Sequence, residues 1–373
     1  MAQALSLTFA RTKKEFSVTV QKRVNDYFKQ NDLNRHANRE MIIKTVFMFS
    51  LYFIPYGLLL SGIITSIWLL LLVVVLMGFG LAGIGLSVMH DANHGAYSDK
   101  SWINTLVGYS LNMVGSSAFN WKIQHNVLHH TYTNVHEHDE DISPRGVLRL
   151  TPHSDWKIMH QYQFIYAWFL YGLMTLVWLG IKDFVRIVRY QKDGLAKKQK
   201  ANMLQEWTIL LISKAVYIFY IYFIPLMITP FLWWQILIGI FVMHYVAGFM
   251  LAIIFQPAHV IDGTEFPLPD ENNALENNWA IHQMLTTTNF GNNSKWFSWY
   301  VGGLNFQIEH HLFPNVCHVH YHKIAGIVRE TAREFGLPYK SSRTFAGALY
   351  GHAKLLKALG KKPEGSAALS VAH

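Results

Sequence analysis

Histidine clusters are the feature of this sequence that is best suited to chemistry. The chain has 373 residues, and 20 of them are histidine. The three tightest clusters are His90 and His94; His125, His129 and His130; and His310 and His311. Residues four positions apart lie on one face of a helix, so a pair with this spacing can bind one metal ion. Adjacent histidines point about 100° apart around a helix, so the two can serve different ions.

Another histidine, His259, stands alone in the motif Gln256-Pro-Ala-His259, directly after an apolar run. Together with the clusters it gives about four histidines for each of two metal ions. Gln307 lies three residues before His310 on the same helix face and is a further candidate ligand. Carboxylates commonly orient ligand imidazoles from behind. The acidic residues placed to do so are Asp91, Asp139 and Asp141.

The number of histidines bears on which metal is bound. A single His-x3-His pair is weak evidence, but three clusters together indicate a metal site. All-imidazole sites suit iron, zinc, copper or nickel. Structural zinc usually has cysteine ligands, whereas this chain has one cysteine, Cys317. An oxygen-activating iron pair is therefore favoured.

His244 lies inside an apolar run and is expected to be a packed polar residue. Three histidines that follow the third cluster are interpreted as residues that support the metal ligands or as surface residues: His318, His320 and His322.

The composition indicates a membrane protein. Hydrophobic residues make up 51% of the chain and charged residues only 15%, whereas about a quarter of the residues in a soluble domain are charged. Disordered, coiled-coil and collagen-like chains are excluded by the same numbers. The formal charge is +9, but the basic residues flank apolar runs. This pattern is typical of contact with anionic lipid headgroups, so no nucleic-acid partner is expected.

Two long uncharged blocks predict four membrane-spanning helices. The first block covers 45 residues from Thr45 to Met89, too many for one span of about 20 residues. We predict two helical hairpins, and their spans are 43–62, 66–88, 208–229 and 232–256. Lys214 falls inside the third span, so its side chain must extend to the surface or the helix must begin later.

The distribution of Lys and Arg predicts the orientation. The first 44 residues carry nine Lys or Arg residues and segment 182–200 carries seven, so both are placed in the cytoplasm with both termini. Segments 164–181 and 102–119 are then interpreted as interfacial or buried helices. The predicted fold is an all-α polytopic membrane domain over 1–361, with a cytoplasmic helical cap that holds a di-iron site. A disordered tail is expected over 362–373.

The three clusters resemble the histidine boxes of the membrane fatty acid desaturases and related hydroxylases, in the same order along the chain. The run from Gln307 to Pro314 is similar to the front-end branch, of which the delta-6 linoleoyl-CoA desaturases are typical. The resemblance covers roughly residues 40–335, and within it His259 matches a further iron ligand. It implies two Fe2+ ions and O2 as co-substrate. It also implies a cis double bond placed between an existing one and the carboxyl end of an acyl-CoA or acyl-lipid.

One departure from the resemblance concerns electron supply. Many front-end enzymes carry a fused cytochrome b5 domain with a His-Pro-Gly-Gly motif, and the sequence lacks that motif. A separate electron donor of the ferredoxin or cytochrome b5 type is therefore expected. Two other functions stay open at this point. An acyl hydroxylase would share every histidine box, and a histidine-rich metal-binding or transport protein would need polar residues at mid-depth in its spans.

Overall fold

The fold is described by a computed structural model, which covers residues 7–143 and 146–363. Within these residues the long helices are α1 (Glu15–Gln30), α2 (Arg39–Leu60), α3 (Ile67–Asn93), α7 (Ile158–Gly172), α8 (Met174–Lys192), α10 (Met203–Ile228), α11 (Trp233–His259), α15 (Tyr321–Glu334) and α16 (Phe345–Leu359). The shorter helices are α4 (Ser101–Gly108), α5 (Ser110–Met113), α6 (118–132), α9 (Leu195–Lys198), α12 (Trp279–Thr286), α13 (Lys295–Tyr300) and α14 (Gln307–Leu312). Most of the expected tail, 364–373, lies outside the described residues.

Four helices are long and apolar enough to cross a membrane, as many as were predicted, and a bent helix pair could make a fifth span. They are α2, α3, α10 and α11. α3 continues to Asn93 and α11 to His259, beyond the predicted ends at 88 and 256. A helix propagates past the last apolar residue when its backbone can stay hydrogen-bonded. His90 and His259 therefore lie on the last turns of the helices.

Glycines allow α3 to lie very close to its neighbours. A Cβ atom at Gly78 would lie 2.7 Å from the carbonyl oxygen of Met243 on α11. A Cβ atom at Gly80 would lie 2.6 Å from the backbone nitrogen of Tyr52 on α2. Small residues are commonly found where helices approach each other closely in membranes. The packing of α3 against α2 and α11 therefore depends on these two positions.

A bent helix pair occupies the segment predicted to be interfacial. α7 and α8 meet at an angle of 60°, and together they are long and apolar enough to form a fifth, broken span or a re-entrant segment. Exposed apolar side chains lie on both halves, including Phe169 and Ile181. Segment 102–119 is divided between α4 and α5, each far shorter than a span.

Lys214 is buried within α10, so both alternatives predicted from the sequence, a side chain that extends to the surface and a helix that begins later, are wrong. The helix begins at Met203, and the side chain of Lys214 does not extend to the surface, since the residue is 5% exposed. Its ammonium group donates 2.8 Å hydrogen bonds to the carbonyl oxygens of Gly115 and Trp178 and to Asp183 Oδ2. A buried charge is tolerated where it is paired and fully hydrogen-bonded.

The N-terminal helix packs on the C-terminal part of the chain. Four apolar residues of α1 are spaced by four and buried against α15 and its neighbours, namely Phe16, Val20, Val24 and Phe28. Two pairs of very short parallel strands add to the helical fold: β1 (Thr8–Phe9) with β2 (Ala274–Leu275), and β3 (Asn289–Phe290) with β4 (Ser341–Ser342). The prediction of a purely helical fold is wrong to this small extent.

Candidate metal centre

Four helices bring the clustered histidines together. α3 carries His90 on its last turn, α6 carries the second cluster, α11 ends at His259 and α14 carries the third cluster. His94 follows α3 directly and is partly exposed, whereas the other seven histidines are buried. The positions at helix ends therefore converge on one buried region.

The first group of ring nitrogens comes from three separate segments. Its members are His90, His94, His125 and His310, and one nitrogen from each lies within 4.8 Å of the others. The ring centroids of His90 and His310 are 4.6 Å apart. Four imidazoles at this separation can bind a single metal ion.

The second group lies beside the first. One ring nitrogen each of His129, His259 and His311 lies within 4.8 Å of the others. His130 lies between the groups, since its Nε2 is 3.0 Å from His310 Nε2 and its ring centroid is 4.3 Å from that of His311. The adjacent residues His310 and His311 thus belong to different groups.

Several of these nitrogens have no hydrogen-bond partner, although they are buried. Within the described residues, the unpartnered atoms are both ring nitrogens of His90, Nδ1 of His130, and Nε2 of His94, His259 and His311. Buried polar atoms are nearly always paired, and each exception needs an explanation. Imidazole nitrogens that converge without donors between them fit a metal ion as the missing partner.

The protonation state of these histidines also fits metal binding. Burial, together with the charge that neighbouring imidazoles would carry, holds the pKa well below the usual value at His94, His125, His130, His310 and His311. The neutral imidazole is the form that binds metal ions. His129 differs: burial opposes its charge, but the Asp139 carboxylate outweighs burial and raises its pKa.

Carboxylates contact the histidines from behind. Asp139 Oδ2 lies 3.0 Å from His129 Nδ1 and also accepts a 2.9 Å hydrogen bond from the backbone N–H of Asn134. Asp141 Oδ2 lies 3.6 Å from the same His129 nitrogen. Asp91 Oδ1 is 3.6 Å from His90 Nδ1. A carboxylate at Nδ1 fixes the ring orientation and leaves Nε2 free for a metal ion.

Three further partners orient ligand rings, and sequence spacing gave no signal for them. His311 Nδ1 lies 2.8 Å from Gln283 Oε1 on α12, and His310 Nδ1 lies 3.2 Å from the Tyr321 hydroxyl on α15. His259 Nδ1 is 3.3 Å from the carbonyl oxygen of Thr286. These partners come from segments that meet the histidines only after the chain has folded.

Gln307 lies beside the second group without belonging to either set of ring nitrogens. Its side chain lies close to His259, and its Nε2 donates a 2.6 Å hydrogen bond to the carbonyl oxygen of Leu304. The residue is 1% exposed. Gln307 is therefore close enough to the histidines to act either as a ligand or as a support for His259.

The remaining histidines play different parts. His318 Nδ1 lies 2.8 Å from Asp91 Oδ2, so it contacts the carboxylate behind His90. His320 Nε2 bonds the carbonyl oxygen of His36, and His322 is exposed. His244 is buried, as expected of a packed polar residue, and its Nε2 lies 2.8 Å from the Tyr217 hydroxyl.

The fold and the site define a class of protein: an integral membrane helical bundle with a buried, histidine-rich site that could bind metal ions. The family model for fatty acid desaturases matches residues 66–343. The chain is 34% identical to the sn-1 linoleoyl-lipid 6-desaturase of Arthrospira platensis, over 94% of each chain. It is 35% identical to the enzyme of the same name from Synechocystis sp., over 94% of this chain and 96% of the relative.

A third relative has a different desaturase name. The acyl-lipid (8-3)-desaturase of Physcomitrium patens is 38% identical over 93% of this chain and 72% of its own length. Taken with the match of the family model, these similarities show that the chain belongs to the fatty acid desaturase family. It is therefore an oxidoreductase, which settles the choice against a metal transporter.

Proposed function

We propose that this enzyme is a front-end desaturase that introduces a cis double bond into polyunsaturated C18 acyl chains, with O2 as co-substrate. The observation that carries the proposal is the pair of buried histidine groups, which lie next to an apolar cavity. The membrane-spanning helices α3 and α11 contribute His90 and His259 to these groups. The desaturase names of the relatives support it, and two of those names specify linoleoyl-lipid as the substrate. By analogy an acyl-lipid is the favoured substrate, with acyl-CoA as the alternative.

Two Fe2+ ions are the proposed cofactors. The first would be held by His90, His94, His125 and His310, and the second by His129, His259 and His311, with His130 between them. When bound, this iron pair activates O2 for removal of hydrogen from two neighbouring methylene groups. The protein's own contribution is to keep most of these imidazoles neutral, His129 excepted, and to fix ring orientation through Asp139, Asp141, Asp91 and Gln283. Gln307 is a further candidate ligand.

A narrow cavity beside the histidines supplies the acyl site. This inner cavity is lined by apolar side chains of α3, α6 and α11, among them Leu81, Met89, Trp121, Leu251 and Phe255. Its walls contact the first histidine group directly, since the Trp121 ring centroid lies 4.4 Å from that of His125 and 5.5 Å from that of His90. An unactivated methylene offers no polar group to recognise, so position must be set by how the chain fits this cavity.

Product analysis tests the function. Cells that make no polyunsaturated acids are to express the protein and to be fed linoleate, alpha-linolenate or stearate. We expect the two polyunsaturated acids to be preferred and the new bond to lie at carbon 6, located by mass spectrometry of picolinyl or dimethyl disulfide derivatives. Cells without the gene are the control. A bond on the methyl side of the existing one would contradict the front-end assignment, and a hydroxy acid would favour the hydroxylase alternative.

The relatives also suggest a second double-bond position. The Physcomitrium patens relative is named an (8-3)-desaturase, which is a different position from that of the two 6-desaturases. Feeding C20 acids with a double bond at carbon 8 separates the two. A product only from these C20 acids would keep the front-end assignment and replace carbon 6.

We propose that the spans form two hairpins, with both termini and the histidine groups on the cytoplasmic side. Lys44, near the start of α2, and His90, at the end of α3, both lie next to the Asp91–His318 pair. The start of α2 and the end of α3 therefore lie at the same side. The excess of Lys and Arg in the first 44 residues and in 182–200 supports a cytoplasmic location for that side.

Labelling of an introduced cysteine tests the orientation. Cys317 is fully buried, so a thiol reagent should report only on a Lys192→Cys variant. We expect this cysteine to react in inside-out vesicles and to stay unlabelled in intact cells treated with an impermeant reagent. Labelling in intact cells would contradict the scheme and would make the α7–α8 pair a fifth span.

Electron transfer is proposed to depend on a separate protein of the ferredoxin or cytochrome b5 type. The net charge of +9 suits an acidic donor, because opposite charges speed association. Membranes that contain the enzyme should desaturate linoleoyl lipid when supplied with one of these reduced donors. Turnover with neither donor would contradict this part of the proposal.

A further inference from the structure

A layer of hydrogen-bonded polar side chains crosses the interior of the membrane bundle. Its members are Tyr52, Thr175, Tyr217, Tyr220 and His244, here called the polar layer. They come from α2, α8, α10 and α11, and Tyr52, Tyr217 and His244 are at most 1% exposed. None of them lies among the histidines of the metal centre.

Hydrogen bonds hold the polar layer in one arrangement. The Thr175 hydroxyl donates to the carbonyl oxygen of His244 at 2.8 Å, so its oxygen accepts from His244 Nδ1 at 3.1 Å. His244 Nε2 must then accept from the Tyr217 hydroxyl at 2.8 Å. The Tyr52 and Tyr220 hydroxyls are 3.1 Å apart, and Tyr220 donates to the carbonyl oxygen of Met113. The two hydrogen-bonded sets adjoin through the rings of Tyr217 and Tyr220, whose centroids are 5.2 Å apart. Satisfied polar groups in an apolar interior are costly to separate.

The polar layer separates two cavities. The inner cavity beside the metal centre is lined by residues within positions 81–89 of α3 and 251–255 of α11. A second, outer cavity uses positions 70–77 of α3 and 236–243 of α11, together with Leu59 of α2. Gly80, which contacts the backbone of Tyr52, and His244 fall between these two sets of positions. Tyr217 packs on Gly115 at the wall of the inner cavity, because a Cβ atom there would lie 2.8 Å from its ring.

The distance along α3 from the polar layer to the metal centre suits a C18 chain. Gly80 precedes His90 by ten positions on α3, which corresponds to about 15 Å at 1.5 Å per residue. An extended alkyl chain that runs from carbon 6 to the methyl end of a C18 acid has a similar length. The methyl end would then meet the polar layer when carbon 6 lies at the metal centre.

We infer that the polar layer is the closed end of the acyl site, and that Tyr217 sets the length of chain accepted beyond the metal centre. The inference rests on the proposed desaturase function. It makes Tyr217 a specificity-determining residue that shapes the site without taking part in the chemistry. The outer cavity would then be closed to substrate unless the layer is opened.

Competition between acids of different length tests the inference. Cells are to be fed equimolar C16, C18 and C20 acids whose double bonds lie at the same distance from the carboxyl end. Tyr217→Ala removes the ring that packs on the wall of the inner cavity and should open the polar layer. The ratio of C20 to C18 product should then rise about tenfold or more, since each methylene in an apolar pocket is discriminated by such factors. Val114→Phe fills the inner cavity and should shift the products toward C16. Because the readout is a ratio, it does not depend on how much protein folds.

Leu59→Ala is the matched control. It enlarges the outer cavity but leaves the polar layer in place, so the product ratios should equal those of the unmodified protein. Unchanged ratios in both Tyr217→Ala and Val114→Phe would overturn the inference, as would a shift in Leu59→Ala. The absence of any desaturated product from the unmodified protein would instead refute the proposed function.

Discussion

Replacing His310 with alanine is expected to lower desaturase turnover at least about a hundredfold. Losing a residue that only supports a metal ligand can already cost that much, and losing a ligand should cost at least the same. His310 belongs to the first histidine group and its Nε2 is 3.0 Å from that of His130, so its loss affects both proposed iron ions. We also expect less than two iron ions per chain after purification under reducing, iron-replete conditions. The amount of protein in the membrane should be unchanged, because His310 lies outside the spanning helices.

The same result is expected for the other buried cluster histidines, namely His125, His129, His130 and His311. His322→Ala is the matched control: this histidine follows the third cluster in sequence but is exposed. Its variant should keep both iron content and turnover. Near-normal turnover in two or more of the cluster variants would show that the ligand assignment is wrong.

Replacing Lys214 with methionine is expected to lower the free energy of unfolding by about 3–5 kcal/mol, the range found when one partner of a buried ion pair is removed. Lys214 Nζ lies 2.8 Å from Asp183 Oδ2, and the two side chains are 6% and 3% exposed. Methionine keeps the length of the side chain but leaves the Asp183 carboxylate unpaired. The carbonyl oxygens of Gly115 and Trp178 lose their donor as well.

Thermal unfolding of the detergent-solubilised protein measures this effect. The double variant Lys214→Met with Asp183→Asn removes both charges and should recover much of the lost stability, because no unpaired charge remains in the interior. Lys192→Met, which changes an exposed lysine at the end of α8, should leave the unfolding temperature unchanged. If Lys214→Met alone unfolds like the unmodified protein, then this ion pair does not stabilise the bundle.

Local patterns in the sequence predicted much of the fold. The uncharged blocks located the four spans because twenty apolar residues in a row have few alternatives to crossing a bilayer. The helix ends were harder to predict from the sequence, since α3 and α11 continue beyond their last apolar residues to Asn93 and His259. The spacing of the histidines identified the residues that meet in the buried site, because a four-residue separation defines one helix face.

Contacts between distant segments could not be read from the sequence. Gln283 and Tyr321 orient His311 and His310, but they lie on α12 and α15, and no spacing rule connects them to the clusters. Asp183 is 31 positions from Lys214, so the charge in the third span appeared to lack a partner. The polar layer was missed for the same reason, since its five members come from four helices.

The glycines of α3 have a consequence for the distance between the two histidine groups. α3 contributes His90 to the first group and α11 contributes His259 to the second. The contact that joins these helices, at Gly78 and the carbonyl of Met243, lies twelve positions before His90, or about 18 Å away along the helix. The packing of α3 against α11 inside the bundle therefore helps to set the distance between the two histidine groups. Residues that lie far from the histidines thus contribute to the geometry of the proposed metal centre.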